Sequence, residues 1–180
     1  GTAFLRQLFR LKNLSVFLSS AIIQNGMICF LQTFYVLIII MTYCVGFLLE
    51  EGMVFASDTR TNAGLDQVAI ASKMHIFEVK NERVIVLLTA GNLAITQSVV
   101  NSLKLKLSDT ENKHLNNVGS LFEAAALVGD EMRATFARDG SFLKDHDIDF
   151  NASILIGGQI KGEVPRLFNV YAAGNFIEIN

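Results

Sequence analysis

Short apolar runs alternate with polar turns from residue 42 onward, a pattern that predicts β-strands joined by tight turns. Runs that follow each other closely, around Gly52 or Asn81, predict hairpins. The run from Val84 to Leu88 is apolar at every position, so this strand is expected to be central and covered on both faces. The predicted strands are residues 42–51, 53–60, 73–80, 83–90, 151–159 and 165–179, the last containing an Ala-Gly-Asn turn.

Two stretches between these strands carry apolar residues at helical spacing. Residues 93–107 begin after a break at Gly91, and residues 114–139 are followed by Gly140, which is expected to stop the helix. The predicted order of elements along the chain is hairpins, then two consecutive helices, then hairpins again. This order predicts an α+β fold of antiparallel sheets layered with helices, not a βαβ arrangement. The longer helix is predicted to bury one stripe, formed by Val118, Phe122, Ala125, Val128, Met132 and Phe136.

Composition limits what such a domain can bind. The 180 residues are 51% hydrophobic, which suits one domain with a sizeable core. The formal net charge of −2 gives no electrostatic basis for binding nucleic acid. Cys29 and Cys44 are too few for a disulfide framework or a Cys-based metal site and are predicted to be packing residues. The segment Lys-Asp-His-Asp-Ile-Asp at residues 144–149 is interpreted as a charged connector, so no metal site is predicted.

Charge is spread unevenly, because residues 14–49 contain no Asp, Glu, Lys or Arg. Three basic residues precede this run and two glutamates close it, which is typical of a transmembrane or signal-anchor segment. Hydrophobicity alone therefore leaves open whether Met41-Thr42 is the interior of a membrane helix or the beginning of a protein.

Five residues of the following region form a recognisable constellation: Thr42, Asp58, Arg60, Lys73 and Gly91. The segment TYCVGFLLEEGMVFASDTRTNAG resembles the start of mature proteasome-type peptidases, where a strand opens on a catalytic Thr and a second strand ends in Ser-Asp-x-Arg-x-x-x-Gly. The segment TAGNLAITQ resembles the family's strand-to-helix junction, whose glycine amide forms the oxyanion hole. The resemblance covers residues 42–180 and is strongest to the bacterial group of proteasome homologues called Anbu.

This resemblance implies both a fold and an active site. The fold would be the four-layer αββα sandwich of N-terminal nucleophile (Ntn) hydrolases. In the family the chain continues beyond the equivalent of Asn180, so the sandwich here would be incomplete at the C-terminus. The resemblance implies that Thr42 is the nucleophile and, through its amine, the base, and that Lys73 and Asp58 tune its reactivity. Gly91 would be the oxyanion donor, and Arg60 would be a structural residue of the motif. Thr61 and Asn62 would contact an extended peptide substrate.

The chemistry of threonine agrees with this assignment. Its hydroxyl is a poor nucleophile until a base removes the proton, and the α-amine of an N-terminal Thr, with a reference pKa of about 8, can be that base. While residues 1–41 are attached, the nitrogen of Thr42 is an amide and cannot act as a base. Residues 1–41 could be an upstream translation that the cell does not make, a propeptide or a membrane anchor. We expect the first, which leaves residues 42–180 as the peptidase domain.

The predicted function is a threonine-type endopeptidase that cleaves peptide bonds of peptides or unfolded proteins. The resemblance implies a homo-oligomeric ring or spiral in the bacterial cytoplasm, with no metal or organic cofactor and no nucleic-acid partner. Two alternatives come from other classes. One is a catalytically inactive scaffold subunit of the same fold, and the other is a single-pass membrane protein with a soluble domain, which only the upstream apolar run supports.

Overall fold

A computed structural model describes residues 6–11, 14–19, 43–50, 52–62 and 68–179. The strands are β1 (Arg6–Leu11), β2 (Leu14–Ser19), β3 (Cys44–Leu49), β4 (Gly52–Asp58), β5 (Arg60–Asn62), β6 (Val68–Ile70), β7 (Met74–Val79), β8 (Arg83–Gly91), β9 (Ala152–Ile160), β10 (Arg166–Val170) and β11 (Phe176–Ile179). The helices are α1 (Leu93–Leu105), a short 3₁₀ turn (Lys106–Ser108) and α2 (Leu121–Asp145).

Every strand pair in the described residues is antiparallel. One sheet has five strands in the order β11-β10-β9-β8-β7, a second has four in the order β1-β2-β4-β3, and β5 pairs with β6. The predicted hairpins β3–β4 and β7–β8 are confirmed. Strand β8 lies inside the five-stranded sheet, and its residues from Ile85 to Leu88 are completely buried, as its apolar sequence predicts. The predicted strand 165–179 is two strands, β10 and β11, joined by the expected turn.

Two apolar cores hold these layers together. The larger core lies between the five-stranded sheet and the helices and includes Ile85, Leu87 and Val128. The smaller core lies between the two large sheets and includes Phe55 and Leu88. The helices, the five-stranded sheet and the four-stranded sheet therefore stack in three layers, which confirms the predicted α+β class in the part of the chain that the structure describes.

The predicted boundaries of the long helix were wrong at both ends. Helix α2 begins at Leu121 and not near residue 114, because the Ser120 side chain accepts the N–H of Glu123 at 3.1 Å and caps the first turn. It also runs through Gly140, which is buried beneath the Phe136 ring, and ends where Asp147 takes a positive φ of 54°. A single Asp-Gly pair was therefore too weak a signal to stop the helix.

The predicted buried stripe of α2 was also partly wrong. Phe122 and Phe136 are 52% and 54% exposed, and Val118 is buried but precedes the helix. The buried face of α2 differs from the predicted stripe and contains mostly smaller side chains. It consists of Leu121, Ala124, Ala125, Val128, Gly129, Glu131, Met132, Thr135 and Gly140. Helix α1 ends at Leu105, two residues earlier than predicted, and continues as the 3₁₀ turn.

The upstream segment contributes two described strands. Strand β2 pairs with β4, with Leu14 opposite Asp58 and Ser19 opposite Met53, and β1 pairs with β2. Residues 20–42, which contain Met41 and Thr42, lie outside the described residues. Among the helices of the described residues, none combines the length and the apolar character that a membrane crossing requires.

Candidate active site

Asp58 and Lys73 form an ion pair at one end of the two large sheets. The Lys73 Nζ donates to Asp58 Oδ1 at 2.8 Å and to Oδ2 at 3.0 Å. The Lys73 side chain is only 5% exposed and the Asp58 side chain 19%. A lysine taken out of water in this way needs a partner for its charge, and the Asp58 carboxylate supplies one through charge-assisted hydrogen bonds.

The β3–β4 hairpin brings the start of β3 to this ion pair. Cys44 lies opposite Ser57, so the next residues outward, Tyr43 and Asp58, are also neighbours. The Tyr43 N–H donates to Asp58 Oδ1 at 3.0 Å, and the Asp58 N–H donates to the Tyr43 carbonyl at 3.0 Å. One carboxylate therefore binds both the lysine ammonium and the main chain of the residue that follows Thr42.

Cys44 lies beside the ion pair. Its Sγ donates to the carbonyl of Thr89 at 3.4 Å. Burial raises the pKa of the Cys44 thiol to about 11, the Lys73 ammonium acts in the opposite direction, and the Asp58 carboxylate raises it further. The thiol therefore stays protonated at neutral pH, as expected of a packing residue and not of a nucleophile.

Gly91 is the last residue of β8 and lies at the junction with α1. Its φ of +96° disfavours any L side chain, and an added Cβ would overlap the Asn151 carbonyl oxygen. The next residue, Asn92, donates its N–H to that same carbonyl at 2.6 Å and caps α1 by accepting from the first-turn N–H groups. A backbone N–H at the start of a helix can donate to a developing oxyanion, because the helix dipole favours negative charge there.

The structure describes the remaining predicted site residues only in part. Thr42 lies outside the described residues. Arg60, Thr61 and Asn62 form β5, which pairs with β6 and places Thr61 opposite Ala69. The structure thus brings Asp58 and Lys73 into direct contact, and it places the residue after Thr42 against the same carboxylate.

Sequence reasoning missed two contributors, Tyr43 and Thr89. The Tyr43 main chain binds Asp58, which no side-chain pattern could reveal. Thr89 donates its N–H to the Lys73 carbonyl at 2.8 Å and its hydroxyl to the same oxygen at 3.3 Å. The signal for Thr89 was its position, because a polar residue follows directly on the fully apolar run of β8.

Among the described residues, no group of three or more His, Cys, Asp or Glu side chains is arranged to hold a metal ion. The acidic segment from Asp145, the last residue of α2, to Asp149 is exposed. Its separate charges are those of a solvated connector between the helix and β9.

Comparisons with known proteins point to one family. The sequence model of the family described as "Proteasome subunit" matches residues 42–180. Comparison with curated protein sequences gives no significant match.

Solved structures of proteins named Anbu are similar to this chain. A mutant of Anbu from Hyphomicrobium sp. strain MC1 is 47% identical with a TM-score of 0.69, and the match covers 77% of this chain and 56% of that one. Anbu from Yersinia bercovieri is 47% identical with a TM-score of 0.70, covering 76% and 56%. Anbu from Pseudomonas aeruginosa, solved as a helical assembly, is 43% identical with a TM-score of 0.71, covering 76% and 56%. The chain therefore spans a little over half the length of these solved relatives.

Proposed function

This chain belongs to the proteasome subunit family, and we propose that it is a threonine peptidase that cleaves peptide bonds with Thr42 as an N-terminal nucleophile. Membership in this family confirms the predicted α+β sandwich of the Ntn-hydrolase type. The relationship to Anbu proteins, at 43–47% identity, also confirms the group that the sequence resembles.

The observation that carries the proposal is the buried ion pair between Lys73 and Asp58, located beside the main chain of Tyr43. A purely structural position would favour apolar packing here, because burying two charges gives little or no net stability compared with hydrophobic side chains. Charged groups kept in a partly buried site, beside the main chain of the residue that follows the candidate nucleophile, are typical of a catalytic centre.

Thr42 would supply both the nucleophile and the base. Its α-amine can take the hydroxyl proton once residues 1–41 are absent, since only then is that nitrogen an amine. The Lys73 ammonium disfavours protonation of the amine and stabilises the attacking oxygen. Asp58 holds the ammonium in place through two hydrogen bonds. We therefore propose residues 42–180 as the mature peptidase region, with residues 1–41 removed or never made.

The reaction would proceed by acyl transfer. The Thr42 Oγ attacks the scissile carbonyl carbon while its proton moves to the amine, and the Gly91 N–H donates to the resulting oxyanion. The C–N bond then breaks, and the amine returns the proton to the departing nitrogen. Water hydrolyses the remaining ester and restores the Thr42 hydroxyl.

An unfolded peptide is the substrate that fits this layout best. Strand β5, from Arg60 to Asn62, is paired with β6 in the described residues. A peptide that adds as an extended strand beside Thr61 and Asn62 would be held through its main chain, which is independent of sequence. Gly91 would face the same peptide from the end of β8, and Arg60 would stabilise the turn between β4 and β5.

We further propose that this protein forms a homo-oligomeric ring or spiral in the cytoplasm. The support comes from the relatives, one of which, from Pseudomonas aeruginosa, was solved as a helical assembly. Light scattering of the purified protein tests this directly, because a monomer in solution at micromolar concentration would contradict it.

Hydrolysis of a panel of fluorogenic peptides by the purified protein tests the proposed activity. The wild type is expected to turn over at least one peptide, and the Thr42→Ala variant is expected to be inactive while keeping the wild-type oligomeric state. A correctly assembled wild type that cleaves none of the peptides, and is not labelled by a Thr-reactive inhibitor, would favour the scaffold alternative.

A further inference from the structure

Strand β4 has a neighbour on each side in the four-stranded sheet: β3 from the peptidase region and β2 from the upstream segment. Both neighbours run antiparallel to β4, with Cys44 opposite Ser57 on one side and Ser15 opposite Ser57 on the other. The proposed mature chain begins at Thr42 and therefore lacks β2. In the described part of that chain, β4 becomes the last strand of its sheet and presents an open edge.

The hydrogen bond between Asp58 and Tyr43 fixes which main-chain groups of β4 lie on this edge. The Asp58 N–H donates to the Tyr43 carbonyl, so it points toward β3. Main-chain groups alternate in direction along a strand, so the Ala56 N–H also points toward β3, whereas those of Phe55 and Ser57 point toward β2. Once β2 is gone, the N–H and carbonyl groups of Phe55 and Ser57 are the ones that another extended chain would meet.

Strand β2 shows what kind of chain this edge accepts. It pairs along its whole length, from Leu14 opposite Asp58 to Ser19 opposite Met53. Its sequence, Leu-Ser-Val-Phe-Leu-Ser, contains no charged residue, proline or glycine. Pairing of this kind is made by the main chain, so it requires an extended conformation more than particular side chains. An unfolded polypeptide meets that requirement.

The β4 edge leads directly to the candidate active site. Asp58, the last residue of β4, binds the Lys73 ammonium, and the chain enters β5 after one further residue. An antiparallel chain on this edge has its N-terminal end at Asp58, as β2 has with Leu14. The residues that precede such a bound segment therefore continue past Asp58 toward β5 and the proposed cleavage site.

We infer that the outer edge of β4 is a strand-binding site for unfolded polypeptide, used by the part of a substrate that lies C-terminal to the cleaved bond. The bound segment pairs with Phe55 and Ser57 in the antiparallel register that β2 shows. The role in substrate binding rests on the proposed peptidase activity, whereas the capture of an extended strand does not. Where β2 is present, it occupies the same edge and excludes any other strand.

Hydrogen exchange resolved to single residues tests this edge on the purified mature protein. The probe is a synthetic peptide with the sequence of residues 13–20, extended by two lysines for solubility. With saturating probe, exchange of the Phe55 and Ser57 amides is expected to slow about tenfold or more, since each gains a hydrogen bond. The Val54 and Ala56 amides are internal controls, because they point toward β3 and should not change.

Two methylated peptides distinguish strand pairing from nonspecific adhesion. Phe17 of β2 lies opposite Phe55, and because the Phe55 N–H points toward β2, the Phe17 N–H points toward β4. The N–H of the next residue, Leu18, points away from β4. N-methylation of the probe at Phe17 should abolish the protection, whereas N-methylation at Leu18 should leave it. Equal protection by both methylated peptides would overturn the proposed site.

The mature protein without any probe gives a second decisive result. The Phe55 and Ser57 amides should exchange rapidly in it, as expected of an open edge. Slow exchange there would also overturn the inference, because the edge would already be covered by a second copy or by another part of the chain.

Two internally quenched substrates test the role of the edge in cleavage. Both carry the same cleavable segment, and the sequence of residues 14–19 follows that segment in one substrate and precedes it in the other. KM is expected to be about tenfold lower when the sequence follows, with similar kcat, because contacts remote from the reacting atoms stabilise ground and transition states alike. Equal KM values would refute the substrate role. If the mature protein cleaves neither substrate, the proposed function fails, and hydrogen exchange alone decides whether the edge binds a strand.

Discussion

Asp58 joins the Lys73 ammonium to the main chain of Tyr43 through one oxygen atom. Its Oδ1 accepts from the lysine Nζ at 2.8 Å and from the Tyr43 N–H at 3.0 Å. The carboxylate thus connects the charge of the candidate site with the start of the strand that follows Thr42. Substitutions that remove one or both charges of this pair should affect the free energy of unfolding and the peptide-cleaving activity differently.

Lys73→Met should strongly reduce peptide cleavage and also destabilise the fold. It leaves the largely buried Asp58 carboxylate without its counter-ion, which typically costs about 3 kcal/mol of unfolding free energy. Activity should fall about 10²-fold or more, the usual effect of removing a charge that stabilises a transition state. Urea unfolding and peptide hydrolysis measure the two effects, and unchanged hydrolysis would contradict the role of Lys73.

The double variant Asp58→Asn/Lys73→Met separates the two contributions. Removing both charges leaves no unpaired ion, so unfolding stability should recover most of the loss seen in Lys73→Met. Activity should not recover, because the ammonium is still missing. A double variant that regains activity would show that the pair serves only the fold.

Gly91→Ala should lower the free energy of unfolding far more than Gly162→Ala, although both glycines have a positive φ, of 96° and 88°. The added methyl at Gly91 would overlap the Asn151 carbonyl, whereas nothing lies within 4 Å at Gly162. Gly162→Ala should therefore cost only the backbone strain, about 1 kcal/mol. Thermal unfolding compares them, and equal Tm values would rule out the close approach at Gly91.

His75 should make the fold sensitive to mild acid. Burial, followed by the Lys104 ammonium, lowers the pKa of His75 from 6.5 to about 4. Because the folded value lies below the unfolded one, the stabilisation is complete above pH 6.5 and is lost as the pH falls toward 4. Urea midpoints measured between pH 7 and pH 4 should decline less in His75→Gln than in wild type.

The exposed His146 provides the matched control for that series. His146→Gln makes the same substitution at a side chain that water already surrounds, so it shows how much of the change comes from the substitution alone. If the urea midpoints of His75→Gln and of the wild type decline in parallel as the pH falls, burial of His75 is not the cause of the acid sensitivity.

Cys44 should react slowly with thiol reagents in the native protein. Its pKa of about 11, against an ordinary 9.0, lowers the thiolate fraction at pH 8 by about 10²-fold. In a Cys29→Ser background, modification by a disulfide reagent should be slow before denaturation and fast after it. Rapid native labelling would contradict the burial of the thiol.

The sheets were predictable from the sequence because their signals are local. Apolar runs bounded by Gly52 and by Asn81 correctly predicted the β3–β4 and β7–β8 hairpins, and the all-apolar Val84 to Leu88 run correctly predicted a strand covered on both faces. The sequence motif also singled out Asp58 and Lys73, which the structure places in contact.

The long helix was predicted less well because its boundaries depend on tertiary packing. The Phe136 ring covers Gly140 and the helix continues, although Asp-Gly is a common stop signal. Phe122 and Phe136 were assigned to the buried stripe by their helical spacing, but the buried face of α2 is formed mainly by smaller side chains such as Ala124 and Ala125. Contacts made by the main chain, such as that of Tyr43, leave no trace in a side-chain pattern.

The measurement that tests the role of Thr42 most directly is mass spectrometry of the assembled protein after incubation with a peptide epoxyketone. This reagent needs both the hydroxyl and a free α-amine of an N-terminal threonine, so one adduct reports nucleophile and base together. We predict a mature chain that begins at Thr42 and carries the inhibitor on that residue. A mature chain that retains residues 1–41, with Thr42 unmodified, would contradict the proposed mechanism.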